Sequence, residues 1–385
     1  EILSGLVGSE MCIRDRPKDV IRQFTPNWFT VTMGTGVVAL ILPEFPFAQA
    51  FLWQLATLLW QFNTLLFTTF IILYILRWLI YPQEAKQIFS HPSMALFLGA
   101  IPMGLATVIN GFLKYGLVIY GDLAIHIAHV LWFVDAILAV GIGIVVPFCM
   151  FSKQDHQLHS MTAMWLLPIV ACEVAAASGG LLLAHLDAGQ HAVGILFASY
   201  MLWGMSVLPA FAVLTILMLR LALHQLPSKE LAITGWLALG PIGTGALALL
   251  ILGAQAPHVL AGIQLEGLGQ LFQNASILAS FILLGFGVWW FAIAVLTTLK
   301  HAVTGLPFNL GWWGLTFPLG VFTLAVLNLG HQIHINFIVD VGLAFAAILM
   351  MLWVMVMTKT LKGMYQGHLF FSPCLKTLLE REQQS

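Results

Sequence analysis

The chain has 385 residues, of which 60% are hydrophobic and 8% are charged, and its mean hydropathy is +0.95. An average soluble domain has roughly 45–50% apolar and about 25% charged residues, so no soluble fold could bury this much apolar surface. The formal net charge of -1 provides no basic field for nucleic acid, and the four cysteines form neither a disulfide framework nor a CxxC metal motif. The composition therefore indicates a protein embedded in a lipid bilayer.

The first sixteen residues read EILSGLVGSEMCIRDR, in which basic residues follow a short apolar run, the reverse of a secretory signal. The stretch SEMCIRDR resembles translated sequencing-adapter sequence. We therefore expect residues 1–16 to be a non-native extension, residues 17–362 to form the transmembrane domain, and residues 363–385 to form a cytoplasmic tail.

Ten apolar runs follow along the chain, each long enough to cross a bilayer, which takes about 20 residues. They lie at residues 27–45, 51–80, 93–112, 121–151, 161–186, 191–223, 230–255, 266–299, 310–329 and 335–361. The segments between them are short. The sequence therefore predicts an all-α membrane protein with ten transmembrane helices.

Lysine and arginine residues segregate to one side of these predicted spans. Fourteen of the fifteen fall before span one or at or beyond the end of an even-numbered span, and only Lys114 falls on the opposite side. Cytoplasmic loops of membrane proteins are enriched in basic residues. The pattern therefore predicts a multi-pass protein of the inner or plasma membrane with both termini in the cytoplasm.

The odd-numbered spans contain small residues and prolines at their centres, which read MGTG (33–36), AIPMG (100–104), LLPIVACEVAAASGG (166–180), GPIGTG (240–245) and TFPLG (316–320). We expect helix kinks at Pro102, Pro168, Pro241 and Pro318. A bent helix is tolerated in hydrocarbon where neighbours or a water-lined cavity satisfy the freed backbone groups. The pattern thus favours five helical hairpins whose odd helices face a shared interior. The alternative is that these residues only serve close helix packing.

These motifs resemble those of the tellurite-resistance and dicarboxylate transporter family, which includes plant slow anion channels, fungal malate permeases and fungal sulfite-efflux pumps. The similarity runs from Asn27 to about Lys362 through NWFTVTMGTG (27–36), HPSMALFLGAIPMGLATVING (91–111), VLWFVDAILAV (130–140), MTAMWLLPIVACEVAAASGG (161–180), RLALHQLP (220–227), GPIGTG (240–245) and WWGLTFPLG (312–320). The stretches at 161–180 and 220–227 are most similar to the sulfite-efflux branch.

The resemblance implies ten helices as five hairpins in a quasi-fivefold arrangement, with the odd helices around a central pore for small anions. It also implies a homotrimer with one pore per subunit. In channels of this family a phenylalanine of the ninth helix closes the pore, and the WWGLTFP stretch assigns that role to Phe317. An apolar side chain in a narrow pore bars ions by excluding water. The alternative for Phe317 is a packing aromatic.

No Lys or Arg lies deep inside a predicted span, so anion binding needs another source of positive potential. The N-termini of broken helices supply it through backbone N–H groups and the positive end of the helix dipole. The candidates to surround the anion are Thr35, Gly36, Gly104, Thr107, Gly243, Thr244 and Gly320. The alternative for each threonine is a hydrogen bond from its hydroxyl to its own helix backbone.

Two carboxylic acids, Asp135 and Glu173, lie deep in spans four and five. An unpaired charge there costs several kcal/mol, which makes both residues candidates for proton coupling. The alternative is a neutral carboxyl group hydrogen-bonded between helices, which we favour for Asp135. Glu173, among small residues of an odd span, is the better coupling candidate.

The histidine pairs His126/His129 and His331/His334 have the i,i+3 spacing of one helix face, which raises a haem-bearing electron carrier as an alternative of another class. All four lie near span ends, where neutral histidine is common, so we expect no metal and no cofactor. GxSxG, HExxH and P-loop motifs do not occur in the sequence, so we expect no enzyme.

The function we predict is ATP-independent transport of a small anion across the bilayer. Sulfite export is preferred, and a transporter or channel for C4-dicarboxylates such as malate is the alternative. The expected partners are the small anion and lipid, with no nucleic acid.

Overall fold

The computed structural model describes residues 17–303, 305–367 and 369–376. The predicted non-native extension, residues 1–16, and residues 377–385 of the predicted tail lie outside the described residues. All regular structure within the described ranges is helical. A short N-terminal helix, Pro17–Gln23, precedes the long helices.

Nine helices of the described chain are long and apolar enough to span a membrane, and a shorter one precedes them. In chain order the ten are α1 (Phe29–Ile41), α2 (Gln49–Ile80), α3 (Ala95–Tyr120), α4 (Asp122–Ser152), α5 (Ala163–Leu183), α6 (Gln190–His224), α7 (Ala232–Ala261), α8 (Glu266–Ala302), α9 (Leu310–Gln332) and α10 (Asn336–Tyr365). The protein is therefore a multi-pass, all-helical membrane protein.

Odd-numbered helices are buried and even-numbered helices are exposed. Every residue of α1 is buried, and 89% of the most apolar stretch is buried in each of α3, α5, α7 and α9. In the even helices the buried share is only 17–33%. Their exposed side chains are large and apolar, such as Leu65, Ile137 and Leu278, which suits contact with lipid tails. We refer to the odd helices as inner and to the even helices as outer.

The inner helices contact one another in a cycle. Helix α1 packs against α3, α3 against α5, α5 against α7, and α7 against α9, while α9 packs back against α1. Each outer helix packs against the inner helix before it and the inner helix after it, and α10 packs against α9 and α1. The inner helices therefore share one interior, which the outer helices separate from lipid.

Each inner helix has a 3-10 segment at its start, formed by Pro26–Trp28, Ala95–Gly99, Ala163–Leu166, Ala232–Ala238 and Leu310–Leu315. The four prolines predicted to kink the helices lie within the first three residues of the α-helical parts that follow, at Pro102, Pro168, Pro241 and Pro318. Proline suits the first turn of an α-helix, where its missing N–H costs little. Each proline thus lies close to a change of helix type.

Helix α3 continues past the predicted end of its span at residue 112 through a π-helical turn, Phe112–Gly116. The chain instead turns at Gly121, whose φ of 56° favours glycine. Lys114 lies on the π-helical turn, and its Nζ is 2.9 Å from Glu44 Oε1 and 3.0 Å from the Leu40 carbonyl oxygen. This pairing accounts for the single basic residue on the opposite side of the predicted spans.

The segment 369–376 packs against the start of the described chain. Its Ser372 backbone N–H donates to Gln23 Oε1 at 2.7 Å. The guanidinium group of Arg77, which is 1% exposed, donates to Ser372 Oγ at 3.2 Å and to the Phe24 carbonyl oxygen. One buried arginine near the end of α2 therefore holds the N-terminal and C-terminal segments together, at what we call the basic end of the helix bundle.

Candidate functional site

A central void lies among all five inner helices, near the level at which 3-10 segments pass into α-helix. Its lining comprises Met33 of α1, Met103 of α3, Leu166, Leu167 and Val170 of α5, Leu237 and Gly240 of α7, and Phe317 and Pro318 of α9. An adjoining void extends from it and shares Met33, Leu167, Leu237, Phe317 and Pro318. Among the residues that the structure describes, those lining both voids carry no charge. Any anion here would have to be held by dipoles.

Phe317 lines both voids. Its side chain is 3% exposed, and it is the first residue of the α-helical part Phe317–Gln332. Residues from the other four inner helices line the same void, so its side chain lies at the centre of the bundle rather than at a contact between two helices. The proposed role of Phe317 as a gate stays a prediction, and this position is the one that a gate would need.

Four predicted anion-site glycines lie at contacts between helices. A Cβ atom at Gly243 would come within 2.6 Å of the backbone N and Cα of Phe322 on α9. Comparable contacts with neighbouring inner helices involve Gly36 and Thr107, Gly104 and Thr32, and Gly320 and Val37. Close approach of helices through small residues is the usual packing mode in membranes. These contacts agree with the packing alternative for the glycines.

Thr35 and Thr107 direct their hydroxyl groups towards outer helices. Thr35 Oγ1 accepts a hydrogen bond from Trp353 Nε1 of α10 at 3.3 Å. Thr107 Oγ1 accepts from Asn63 Nδ2 of α2 at 3.1 Å and donates to the Gly104 carbonyl oxygen at 2.8 Å. Both hydroxyl groups are thus occupied by structural hydrogen bonds, away from the central void.

Thr244 differs from the other predicted threonines. It lies four residues after Gly240 and seven after Leu237, which both line the central void, so the helical repeat places it on the same face of α7. Its Oγ1 is buried and has no hydrogen-bond partner within the described part of the chain. An unpaired buried hydroxyl costs about 1–3 kcal/mol. Among the three predicted threonines, Thr244 is therefore the one whose hydroxyl is left unpaired by the described residues.

The carboxyl groups of Asp135 and Glu173 are fully buried. Neither group has a hydrogen-bond partner in the ranges that the structure describes, so the interhelical hydrogen bond favoured for Asp135 is not found there. The Ser206 hydroxyl of α6 lies beside Glu173, without the geometry of a normal hydrogen bond. A Cβ atom at Gly245 of α7 would lie 3.5 Å from Glu173 Oε2. Glu173 of α5 therefore faces α6 and α7, and it lies one helical turn after Val170 of the void lining.

Six apolar lining residues were missed in the sequence because nothing distinguishes them from core residues: Met33, Met103, Leu166, Leu167, Val170 and Leu237. The available signal was their position next to the small-residue motifs of the odd spans. The sequence paired His129 only with His126 and missed its contact with a third histidine. His129 Nε2 lies 3.0 Å from Nε2 of His191 on α6, a contact between helices that spacing along the chain could not indicate.

Comparison with known proteins settles the family. Residues 23–361 match the voltage-dependent anion channel family, SLAC1. The chain belongs to this family. This family agrees with the resemblance identified from the motifs of the odd spans. The chain is therefore a membrane protein of an anion-transport family.

Individual relatives of this SLAC1 family member cover most of its length. The sulfite efflux pump of Arthroderma otae is 37% identical over 345 residues, which is 88% of this chain and 90% of that pump. An uncharacterized transporter of Methanocaldococcus jannaschii is 30% identical over 352 residues, covering 91% and 97% of the two chains. The malic acid transport protein of Schizosaccharomyces pombe is 25% identical over 349 residues, covering 88% and 77%. The predicted closer similarity to sulfite-efflux proteins than to malate proteins is thus confirmed for these relatives.

Proposed function

We propose that this protein exports sulfite across the membrane through a pore along the axis of the five inner helices. The observation that carries the proposal is the central void, to which every inner helix contributes a lining residue and which Phe317 lines. The choice of sulfite rests on the 37% identity to a sulfite efflux pump over 90% of that pump. Transport of a C4-dicarboxylate such as malate is the second candidate, supported by the 25% identity to a malic acid transport protein.

The pore that we propose has quasi-fivefold symmetry. Five hairpins, each an inner helix followed by an outer helix, would repeat around one axis. The cyclic order of inner-helix contacts and the corresponding 3-10 segments support this arrangement. With an uncharged lining, the pore would hold its anion through helix N-terminal dipoles and hydroxyl groups, loosely enough for the anion to leave.

Flux into proteoliposomes tests the substrate. Purified protein is reconstituted into vesicles, and uptake of sulfite is measured beside uptake of malate, with protein-free vesicles as the baseline. We expect sulfite to exceed the baseline and malate to remain near it. Malate uptake without sulfite uptake would favour the second candidate, and uptake of neither anion would refute this substrate class.

The proposed orientation places the basic end of the bundle in the cytoplasm of a cell whose inner or plasma membrane holds the protein. Arg22 precedes α1, and Arg77 and Arg220 lie near the ends of the outer helices α2 and α6, so all three fall on the side that the enrichment of basic residues assigns to the cytoplasm. We also propose a homotrimer with one pore per subunit, on the basis of the motif resemblance. Light scattering of the detergent-solubilised protein measures the subunit number.

Replacing Thr244 by valine is expected to raise the half-saturating sulfite concentration about tenfold, because a hydrogen bond to a charged group contributes about 1.5–3 kcal/mol. Thr244→Ser should retain near-normal affinity, since it keeps the hydroxyl group. Thr35→Val is the matched control, because its hydroxyl bonds to Trp353 instead of facing the void. Concentration-dependent flux measures all three variants. Equal affinity in Thr244→Val and Thr35→Val would remove Thr244 from the anion site.

Replacing Glu173 by glutamine is expected to abolish any stimulation of sulfite flux by a pH gradient. The carboxyl group is the proposed proton carrier, and glutamine keeps its size while it cannot titrate. Asp135→Asn is the control, because Asp135 is equally buried but lies on an outer helix, whereas Glu173 lies on an inner one. Flux is measured with and without an imposed gradient. An unchanged response in Glu173→Gln, or no response in the wild type, would refute proton coupling through Glu173.

A further inference from the structure

Two histidines from different outer helices face each other at the end of the bundle opposite the basic end. His129 lies about two turns into α4, and His191 is the second residue of α6. Their Nε2 atoms are 3.0 Å apart, and their ring centroids are 4.9 Å apart with planes at 61°. His191 is exposed and His129 is half-buried, so an aqueous ion can reach both rings.

The two facing nitrogens are close enough to share a proton or a metal ion. If both imidazoles are neutral, one Nε2 can carry the proton of a hydrogen bond while the other offers its lone pair. A metal ion can replace that proton, because neutral imidazole is the commonest metal ligand in proteins. Zinc–nitrogen bonds of about 2.0–2.1 Å at a tetrahedral angle place two nitrogens roughly 3.3 Å apart. The observed separation would have to widen by only a few tenths of an ångström.

We propose that His129 and His191 bind a divalent transition-metal ion of the zinc or copper type. Imidazole nitrogen selects these ions over Mg²⁺ and Ca²⁺, which prefer oxygen ligands. The described residues contain no preformed group of three metal-binding side chains, so two histidines supply the protein ligands and water completes the coordination. His126, one turn before His129 on the same face of α4, is the nearest further imidazole along that helix.

Metal binding at this site would join two outer helices that have little direct contact. Helices α4 and α6 each pack extensively on α5, and they touch each other only sparsely. A metal ion held by one ligand from each helix would therefore restrain the second hairpin against the third. Because metal binds the folded arrangement and not the separated helices, it should raise the unfolding temperature.

Titration of the full-length protein with Zn²⁺ alone tests the site. We expect one bound ion per chain by calorimetry and a rise in the unfolding temperature. Either His129→Ala or His191→Ala should weaken Zn²⁺ binding by at least about tenfold, the loss that removal of even an outer-shell partner can cause. His331→Ala is the matched control, since His331 is an exposed histidine at the end of α9 that leaves this pair intact. Unchanged Zn²⁺ affinity in His191→Ala would overturn the proposal, and so would an equal loss in His331→Ala.

Paramagnetic resonance of the Cu²⁺-loaded protein supplies a second readout that does not depend on stability. We expect hyperfine splitting from two imidazole nitrogens in the wild type and from one in either alanine variant. His191→Gln provides a larger polar replacement if an alanine variant fails to fold. A wild-type spectrum without imidazole nitrogen, or the same spectrum in wild type and His191→Gln, would refute the site.

Discussion

Replacing Phe317 by alanine is expected to raise sulfite flux in proteoliposomes about tenfold or more. The residue lines the void to which all five inner helices contribute, and an apolar ring there excludes the water that an ion needs. Removing the ring opens a path for water. A reduction of the barrier by about 1.4 kcal/mol already corresponds to a tenfold higher rate. Phe317→Leu, which retains a smaller apolar group, should give an intermediate flux.

Phe67→Ala is the control for the loss of a buried aromatic ring. Phe67 of α2 is also buried, and it contacts Phe29 with ring centroids 5.6 Å apart, outside the central void. Its replacement should lower the unfolding temperature without raising flux. A Phe317→Ala variant that unfolds at the normal temperature and carries wild-type flux would identify Phe317 as a packing residue.

The division into inner and outer helices could be predicted from the sequence because its signal is repeated five times along the chain. Small residues and prolines recur at the centre of each odd span, and lipid-facing helices instead show continuous large apolar residues. Burial in the structure follows the same alternation. The prolines at which kinks were predicted are repeated in the same way, and each one lies close to the point where a 3-10 segment passes into α-helix.

The direction in which each side chain points could not be predicted, because it depends on how the helices rotate against one another. Thr35 and Thr244 both occur in a TG pair within a small-residue motif, so the sequence treated them alike. In the structure the Thr35 hydroxyl accepts from Trp353 of an outer helix, and the buried Thr244 hydroxyl has no hydrogen-bond partner among the described residues. The facing of His129 and His191 depends on the same tertiary arrangement.

The uncharged lining of the central void has a consequence for the anion transport that we propose. A lysine or arginine in the central void would bind an anion strongly and slow its release, and conduction needs binding that is weak enough for the ion to leave. Hydroxyl groups and helix dipoles provide weaker attraction, worth about 0.3–1 kcal/mol for an exposed helix terminus and more where it is partly buried. Basic residues such as Arg77 and Arg220 lie instead at the basic end of the bundle, where they bind backbone carbonyl groups.

Replacing Gly243 by alanine is expected to destabilise the protein by about 1–3 kcal/mol or more, as overpacking does in other cores. The added Cβ would lie 2.6 Å from the backbone N and Cα of Phe322, and a backbone cannot rotate aside as a side chain can. Helices α7 and α9 would have to separate, which disturbs the cycle of inner helices. Thermal unfolding of the purified protein measures the loss.

Gly240→Ala is the matched control, because it adds the same methyl group to the same helix one turn earlier. The nearest atom to its Cβ would be Val170 Cγ1 at 4.0 Å, so no helix has to move. Alanine also favours helix formation over glycine by about 1 kcal/mol in both variants, and that gain should make Gly240→Ala neutral or stabilising. The two variants therefore separate packing from pore lining at this motif. If Gly243→Ala were as stable as Gly240→Ala and changed only the flux, Gly243 would return to the anion path and the packing interpretation would be wrong.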